Sequence, residues 1–576
     1  MNIDNQLLYA LALSEDDRED TIDLNTGYVS DEKMWELIVK YNEDIVWPDY
    51  VSDLTLLNGT YATLKIRQSD IERLALIPQI YYIEKPKDLY FDISNAKNSS
   101  CITSLQVGSA RSEFTGRGVL VAIIDSGIDY THPVFRNDDL STRIVALWDQ
   151  NDMDSFEEQE FVMQPPVGYS QGILYTQEMI DYALTLNDAD RRKMIRTADF
   201  TGHGTAVAGI AATIANEAGL LVVRLKSPAL GVSGSTASMM EALNWVNDTA
   251  MNLNMPVAVN ISFGNNYGAH NGKSLLESFV DSQSMIGRNC IVIGTGNEGV
   301  TRLHFEDKLD MGTKRKTSAR FFISYVQQAL NIQLWKNYID VAEINLVTPQ
   351  GESYRIRKGI KNIIDYRGMK IYAFINEPTP YNELEEVYFE FIRKKESSFL
   401  EGGIYSIEIE AKDITDGRIN MWMPSGNVVA SETGFFNPSS DTTLTIPSTA
   451  AAAVTVGAYD SRMLSVSDYS GRGFLVNGLV KPDIVAPGNN ILSATVGGGY
   501  ETFTGTSFAT PVVTGACALL MSWGIIGKND VNMYGQKVKA ALLAGADRKL
   551  LKVSKYPDAS VGWGSLCLEN TIRFIT

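Results

Sequence analysis

The sequence is poor in the residues that build metal centres and disulfide frameworks. Its 576 residues include only four cysteines and four histidines. Cys101, Cys290, Cys517 and Cys567 have neither zinc-site spacing nor the density of a disulfide scaffold. No acidic loop has the ligand spacing of a calcium site. We therefore expect no metal and no cofactor, buried thiols at Cys290 and Cys517, and a reducing compartment.

Long hydrophobic runs and positive charge are also scarce. No stretch approaches the roughly 20 apolar residues of a membrane-spanning helix, so we expect no membrane span. The first residues lack the basic segment of a secretory signal peptide. A formal net charge of −19 disfavours nucleic acid and anionic membranes as partners. The length of 576 residues suggests two to four domains, and a content of 44% hydrophobic residues is typical of a globular protein.

Three glycine-flanked motifs place an Asp, a His and a Ser at the ends of predicted elements. Residues 119–129, VLVAIIDSGID, predict a strand buried on both faces that ends at Asp125. Residues 201–212, TGHGTAVAGIAA, predict a small-residue helix opened by His203. Residues 505–511, GTSFATP, put Ser507 in the first turn of a buried helix, where N–H groups favour an oxyanion. Singly these are an ordinary turn aspartate, core histidine and N-cap serine; together they indicate catalysis.

These motifs resemble the three signatures of subtilisin-like serine proteases, in the same chain order. Asn297, within residues 293–299 (IGTGNEG), matches the oxyanion asparagine of that family. The resemblance implies that Ser507 is the nucleophile, His203 its general base and Asp125 the group that orients the imidazole. It also implies an α/β fold, a subtilisin-like parallel sheet with helices on both faces.

The resemblance further implies a cleft in which the substrate adds as a strand between two extended edges. The two edges are residues 232–234 and 262–264, and ordinary turns are the alternative interpretation of both. The residues expected to bind substrate are Val232, Ser233, Gly234, Ser262, Phe263, Gly264 and Gly296.

The N-terminal residues 1–96 have the pattern of a separate α+β domain. We expect helices over 34–41 and 70–76, and strands over 51–57, 61–66 and 80–83, the first two joined by an Asn-Gly turn. This unit resembles the propeptide domain of subtilisin-like proteases. That implies a folding aid which is cleaved by the protease itself and leaves its tail, residues 88–97, bound in the cleft. The expected cleavage region is Asn95, Ala96 and Lys97; a domain that is never cleaved is the alternative.

The catalytic domain is expected in two parts, residues 97–300 and 438–576. Between them, residues 301–437 alternate apolar and polar side chains in short runs separated by turn residues. This pattern predicts an inserted antiparallel β-sandwich, a jelly roll. Its role is either to brace the catalytic domain or to dock a partner.

A propeptide, a subtilase core and a β-sandwich after the oxyanion asparagine resemble the Csp germination proteases of clostridial spores. The resemblance implies limited proteolysis of a protein substrate, the zymogen of a spore-cortex lytic enzyme, in the cytoplasm or within the bacterial spore. Some members of that group have lost triad residues. The alternatives are therefore a pseudoprotease, a scaffold or sensor whose cleft is plugged by its N-terminal domain, and a broad degradative protease.

Overall fold

The structure is a computed structural model of the chain. It describes residues 2–576 apart from 16–17, 19–23, 25–26, 30–31, 43, 58–59, 87–92, 107–113, 152–154, 159–160, 227–233 and 427. The chain divides into two compact units, Met1–Phe91 and Asp92–Thr576.

The first unit is an α+β domain built on one antiparallel sheet. The strands follow the order β1-β2-β4-β3, and β5 pairs with the other side of β2. The Asn58-Gly59 turn lies outside the described residues. The elements are α1 (Asn5–Ala12), β1 (Tyr28–Val29), β2 (Met34–Tyr41), β3 (Val51–Leu57), β4 (Tyr61–Arg67), α2 (Ile71–Ala75) and β5 (Ile80–Glu84).

The helix expected over residues 34–41 was wrong, because this segment is the central strand β2. Trp35, Leu37 and Val39 are fully buried, Tyr41 nearly so, and the residues between them are more exposed. Burial therefore repeats every second residue, which is the period of a strand. The pairing of β2 with both β4 and β5 fixes this register.

The second unit is organised around a nine-stranded sheet that is parallel except at two edge strands. Its order is β10-β7-β11-β6-β12-β13-β25-β26, with β27 also beside β25. Strands β10 and β26 run antiparallel to their neighbours. These strands are β6 (Leu120–Asp125), β7 (Ile144–Asp149), β10 (Ile173–Thr176), β11 (Gly219–Arg224), β12 (Val257–Ile261), β13 (Asn289–Gly294), β25 (Val454–Asp460), β26 (Ser465–Val466) and β27 (Ile484–Pro487).

Both faces of this sheet are buried, as the sequence predicted. Alternate residues of β6 belong to two separate hydrophobic cores: Val121 and Ile123 lie in one, and Ala122 and Ile124 in the other. Each core also contains apolar side chains from helices, so helices cover both faces. The helices of this unit are α3 (Ile93–Ser99), α4 (Thr103–Gln106), α5 (Gln177–Thr185), α6 (Asp188–Met194), α7 (His203–Ile214), α8 (Thr236–Asn252), α9 (Leu275–Gln283), α10 (Thr506–Met521), α11 (Gln536–Gly545) and α12 (Leu568–Ile575).

Two short hairpins complete this part of the unit. Strands β8 (Phe156–Glu158) and β9 (Phe161–Met163) pair with each other, as do β28 (Ile491–Ala494) and β29 (Tyr500–Phe503). The second hairpin leads directly into α10.

The region between β13 and β25 forms two antiparallel sheets that share one hydrophobic core, which is a β-sandwich. The sheet orders are β14-β23-β16-β21-β20-β19 and β18-β17-β22-β15-β24. The jelly-roll connectivity stays a prediction. The strands are β14 (His304–Lys308), β15 (Lys316–Ile323), β16 (Ala329–Asn337), β17 (Val341–Val347), β18 (Ser353–Ile356), β19 (Asn362–Tyr366), β20 (Met369–Ile375), β21 (Leu384–Arg393), β22 (Gly403–Asp413), β23 (Arg418–Trp422) and β24 (Gly434–Phe435).

The helical stretch Thr506–Ile526 departs from one expectation drawn from the sequence. Among the described residues, this stretch of 21 residues has the length and the mean hydropathy, 1.6, of a membrane-spanning helix. It was therefore wrong to expect no stretch of that length. The stretch is 94% buried inside the protein, where α10 packs against α7 and the central sheet.

The cysteines also differ from expectation. Cys101 and Cys567 form a disulfide across a sequence separation of 466 residues, with their Cα atoms 4.8 Å apart. The expectation of a reducing compartment loses its support, because disulfides persist mainly in oxidising surroundings. Cys290 and Cys517 are free and buried, which confirms their expected state.

Candidate active site

The predicted catalytic aspartate and histidine meet at the carboxyl edge of the central sheet. Asp125 ends β6 and is fully buried, and His203 opens α7. The Nδ1 atom of His203 lies 2.8 Å from Oδ1 of Asp125, which also accepts a hydrogen bond from the backbone N–H of Ser126 at 2.7 Å. A proton on Nδ1 leaves the Nε2 lone pair of His203 free to act as a base.

The electrostatics of the site raise the pKa of His203 above its ordinary value. Burial by itself would lower the pKa of His203, but the charge and hydrogen bond of Asp125, with the charge of Asp199, outweigh burial and raise that pKa. A carboxylate held this way stabilises an imidazolium that forms during proton transfer.

Gly204 allows this close approach. A Cβ atom at that position would lie 2.2 Å from the carbonyl oxygen of Gly127 and 3.1 Å from Oδ1 of Asp125. Any larger residue would therefore push α7 away from the loop that follows β6.

Ser507 lies in the first turn of α10, as the sequence predicted. Its hydroxyl donates to the carbonyl oxygen of Ser262 at 3.4 Å. Among the described residues, no hydrogen bond joins Ser507 Oγ to the ring of His203. Both side chains line the same cavity of about 440 Å³. Rotation of the serine about χ1 would redirect its hydroxyl, and loose contacts of this kind are common in substrate-free sites.

The side chain of Asn297 is oriented by the turn before Ser507. Its Oδ1 accepts hydrogen bonds from the backbone N–H of Thr506 at 3.1 Å and from the Thr506 hydroxyl at 3.2 Å. Because the oxygen is occupied, the Nδ2 amide group is left to donate elsewhere. Asn297 lines the cavity together with Ser507, so its amide and the backbone N–H of Ser507 are placed to bind one oxyanion.

Four of the seven expected substrate-binding residues line this cavity: Ser262, Phe263, Gly264 and Gly296. The ring of Phe263 lies 5.8 Å from that of His203. Gly264 and Gly296 approach Thr445, whose side-chain atoms would lie 2.3 Å and 2.5 Å from a Cβ atom at each position.

The other three expected substrate-binding residues are not brought into the cavity. Val232 and Ser233 lie outside the described residues. Gly234 is described, with a φ of +96°, but does not line the cavity.

The expected cleavage region does not have the extended form of a bound substrate. Asn95, Ala96 and Lys97 lie in helix α3, and Ala96 is buried in the core of the second unit. The backbone carbonyl of Ser99, at the end of this helix, accepts a hydrogen bond from Tyr459 at 3.1 Å. A bond in this helix can enter an active site only if the helix unwinds first.

Sequence reasoning missed a buried carboxylate in the cavity. Glu298 follows Asn297 and is 8% exposed; burial raises the pKa of its carboxyl group. Its Oε1 accepts the backbone N–H of Gly426 at 3.3 Å, whereas Oε2 has no partner among the described residues. Ser425 and Gly426 line the cavity and belong to the inserted region, so the β-sandwich contributes part of its wall. Only the fold could reveal this contact, because 128 residues separate its partners.

The described residues of the cavity do not supply a set of metal ligands. Within the described parts of the chain, no group of three or more His, Cys, Asp or Glu side chains is placed to hold an ion.

The fold and these motifs define a subtilase, and comparison with known families agrees. The family model "Subtilase family" matches residues 116–358 and 401–564, and the model "Csp protease B prodomain" matches residues 1–87. The first match covers more than half of the chain. This chain belongs to the subtilase family.

Among solved structures, the chain is similar to the CspB protease of Clostridium perfringens. The TM-score is 0.75 at 29% sequence identity, over 84% of this chain and 97% of that one. The match covers most of the chain, so the similarity is one of overall fold as well as of motifs.

Curated relatives match over shorter parts. Serine protease AprX of Bacillus subtilis is 32% identical over 169 residues, 26% of this chain and 36% of that protein. The C5a peptidase of Streptococcus pyogenes is 24% identical over 441 residues, 70% of this chain and 35% of that protein. The chain spans about a third of the length of these curated relatives.

Proposed function

We propose that the protein is a serine endopeptidase that uses Asp125, His203 and Ser507 as its catalytic triad. The observation that carries the proposal is the contact of 2.8 Å between buried Asp125 and His203, whose ring lines one cavity together with Ser507 and Asn297. The subtilase match supports the same conclusion.

In the proposed reaction, Ser507 Oγ rotates from the Ser262 carbonyl toward Nε2 of His203 and attacks the scissile carbonyl. His203 accepts the hydroxyl proton and later gives it to the leaving amine, while Asp125 stabilises the imidazolium. The Asn297 amide and the backbone N–H of Ser507 bind the oxyanion, and each such donor is worth about 2.7–4 kcal/mol of transition-state stabilisation.

We infer further that the N-terminal domain is a propeptide that binds in the cleft and is removed by the protease itself. The prodomain match over residues 1–87 supports this assignment. The cut is proposed near Asn95, Ala96 or Lys97, inside α3, so this helix must unwind before it is cut and is divided by the cleavage.

The natural substrate is proposed to be the zymogen of a spore-cortex lytic enzyme, with the protease acting in the cytoplasm or within the bacterial spore. Similarity to the Clostridium perfringens CspB protease supports this role. For the inserted sandwich we favour the role of a brace. Its contacts with the catalytic part support this, since Gln333 accepts the backbone N–H of Gly268 at 2.7 Å, and Trp422 donates to the carbonyl of Thr442 at 3.2 Å.

Self-cleavage tests the function. The purified wild-type chain should contain a separate N-terminal fragment, and sequencing should place the new N-terminus near residue 97. The Ser507→Ala variant should stay intact. A wild-type chain that remains whole would favour the pseudoprotease alternative. Because a cleaved propeptide can stay bound and inhibit, activity on an added peptide must be measured separately.

A further inference from the structure

A second cavity of about 470 Å³ lies directly beside the catalytic cavity. The wall between the two is formed by Asp199 on the side of the second cavity and by Ser126 and Thr201 on the side of the catalytic cavity. The Asp199 carboxylate accepts hydrogen bonds from the hydroxyls of Ser126 at 2.9 Å and Thr201 at 3.2 Å. A polypeptide bound at Ser507 therefore passes close to this second cavity.

Three arginines line the second cavity, in a chain whose net charge is −19. Arg191 is paired with Asp188 one turn away on α6, and the guanidinium of Arg196 lies 3.5 Å from the centre of the Phe156 ring. Arg192 is exposed and makes no hydrogen bond or ion pair with any residue that the structure describes. We call this cavity the arginine pocket.

The two carboxylates in its wall do not neutralise these arginines through contacts. Asp129 accepts the backbone N–H and hydroxyl of Thr131 at 3.1 Å and 2.6 Å, and its other oxygen accepts the N–H of Gly497 at 2.8 Å. Asp199 is buried and accepts hydrogen bonds on both oxygens, the second from Thr205. Both carboxylates therefore accept hydrogen bonds from their own and neighbouring segments, and neither forms an ion pair with an arginine among the described residues.

Other acids near α6 have partners elsewhere. Asp190 pairs with Lys193 at 2.7 Å, on the exposed side of the helix. Glu158 lies close enough to raise the pKa of Lys193, but it does not line the pocket.

A buried polar atom in the pocket also lacks a partner. Thr197 is 6% exposed, and its hydroxyl has no hydrogen-bond partner among the described residues. Buried hydroxyls are nearly always hydrogen-bonded, and Thr197 lines the pocket, so rotation of its side chain about χ1 toward a ligand there would give this hydroxyl a partner. A hydroxyl donor beside arginines is a donor set for a carboxylate.

We propose that the arginine pocket binds an acidic side chain of the protein substrate, close in sequence to the scissile bond. This inference rests on the proposed function and adds a substrate class to it: segments that carry Asp or Glu beside the cleaved bond. A peptide partner follows from the wall that the pocket shares with the catalytic cavity. Arg192 supplies the free charge, and Thr197 supplies the hydroxyl donor.

The test compares matched peptides. In a fluorogenic set of one sequence, a single Glu is moved through the four positions on each side of the cleaved bond, and each Glu peptide is paired with its Gln counterpart. At one or two positions the self-cleaved wild type should cut the Glu peptide with a kcat/KM about fivefold higher, a typical size for a partly desolvated charge contact. The Arg192→Glu variant should abolish or reverse the Glu-to-Gln ratio at those positions.

The matched control is Lys193→Glu, an equal charge change on the next residue of α6, which does not line the pocket. It should keep most of the Glu preference. Equal kcat/KM for Glu and Gln at every position, or an equal loss of preference in both variants, would overturn the inference. Binding of the labelled Glu and Gln peptides to Ser507→Ala, after an unrelated protease has cut off its N-terminal domain and the fragment has been removed, provides a second readout. If the wild type cleaves no peptide while Ser507→Ala binds the Glu peptide more tightly than the Gln peptide, the proposed protease function is refuted and the proposed binding pocket is supported.

Discussion

A stack of three buried rings should make the second unit sensitive to acid. Trp422 of the β-sandwich lies between the rings of His270 and His304, with centroids 4.1 Å and 4.7 Å away and interplanar angles of 14° and 11°. Nε2 of His304 lies 3.0 Å from Oδ1 of Asn420, whereas its Nδ1 has no partner among the described residues. A proton on Nδ1 would therefore be buried without an acceptor.

The direction and the size of the change in the free energy of unfolding with pH follow from the pKa values of the two histidines. Burial lowers the pKa of His304 to about 3 and that of His270 to about 4, from an ordinary value of 6.5. Because the unfolded chain takes up these protons first, stability is complete above pH 6.5 and falls as the pH decreases toward those lowered values. At pH 5, which is 1.5 pH units below the ordinary pKa of 6.5, the lowered pKa of each histidine should reduce the free energy of unfolding by about 2 kcal/mol.

The assay is urea unfolding, followed by tryptophan fluorescence, at pH 7.5 and pH 5. Ser507→Ala serves as the parent so that self-digestion does not interfere, and His304→Gln is added to it. Glutamine can still donate to Asn420 but does not titrate. Between the two pH values the parent should lose about 2 kcal/mol more than the His304→Gln variant, because all other titrating groups are common to both. Equal losses would refute the reasoning about the stack.

Three further predictions concern the catalytic groups. Asn297→Ala should lower kcat about 10²–10³-fold with little change in KM, and an unchanged kcat would make Asn297 merely structural. The wild-type kcat/KM should rise with pH through the raised pKa of His203. Asp125→Asn should lower kcat about 10⁴-fold and move that rise to lower pH, so an unmoved profile would contradict the pairing. Gly204→Ala should destabilise the protein by about 1–3 kcal/mol and reduce activity, because its Cβ would meet the Gly127 carbonyl; a wild-type melting temperature would contradict the close approach.

The sequence predicted much of the catalytic unit because its signals are local. A strand buried on both faces must be apolar at every position, and β6 is apolar up to Asp125. Likewise, glycine-flanked His203 and Ser507 mark the first turns of helices that can be recognised without long-range information.

Features that depend on contacts between distant parts of the sequence could not be predicted from local sequence patterns. The apolar residues of the 34–41 segment fit a strand once both of its neighbours are known, but an amphipathic helix was also plausible without them. Cys101 and Cys567 become neighbours only through the fold. Glu298 could be recognised as a buried residue of the cavity only from the fold, which places the backbone N–H of Gly426 in hydrogen-bond contact with its carboxylate.

Covalent labelling of Ser507 tests the central claim most directly, because it needs neither the natural substrate nor a known cleavage site. A fluorophosphonate probe, added after self-cleavage and removal of the N-terminal fragment, should add its mass to the peptide that contains Ser507. The His203→Ala variant, whose N-terminal domain has been cut off by an unrelated protease and removed, should stay unlabelled. Labelling of Ser507 at the same rate with and without His203, or no labelling of the wild type, would contradict an activated nucleophile at this site.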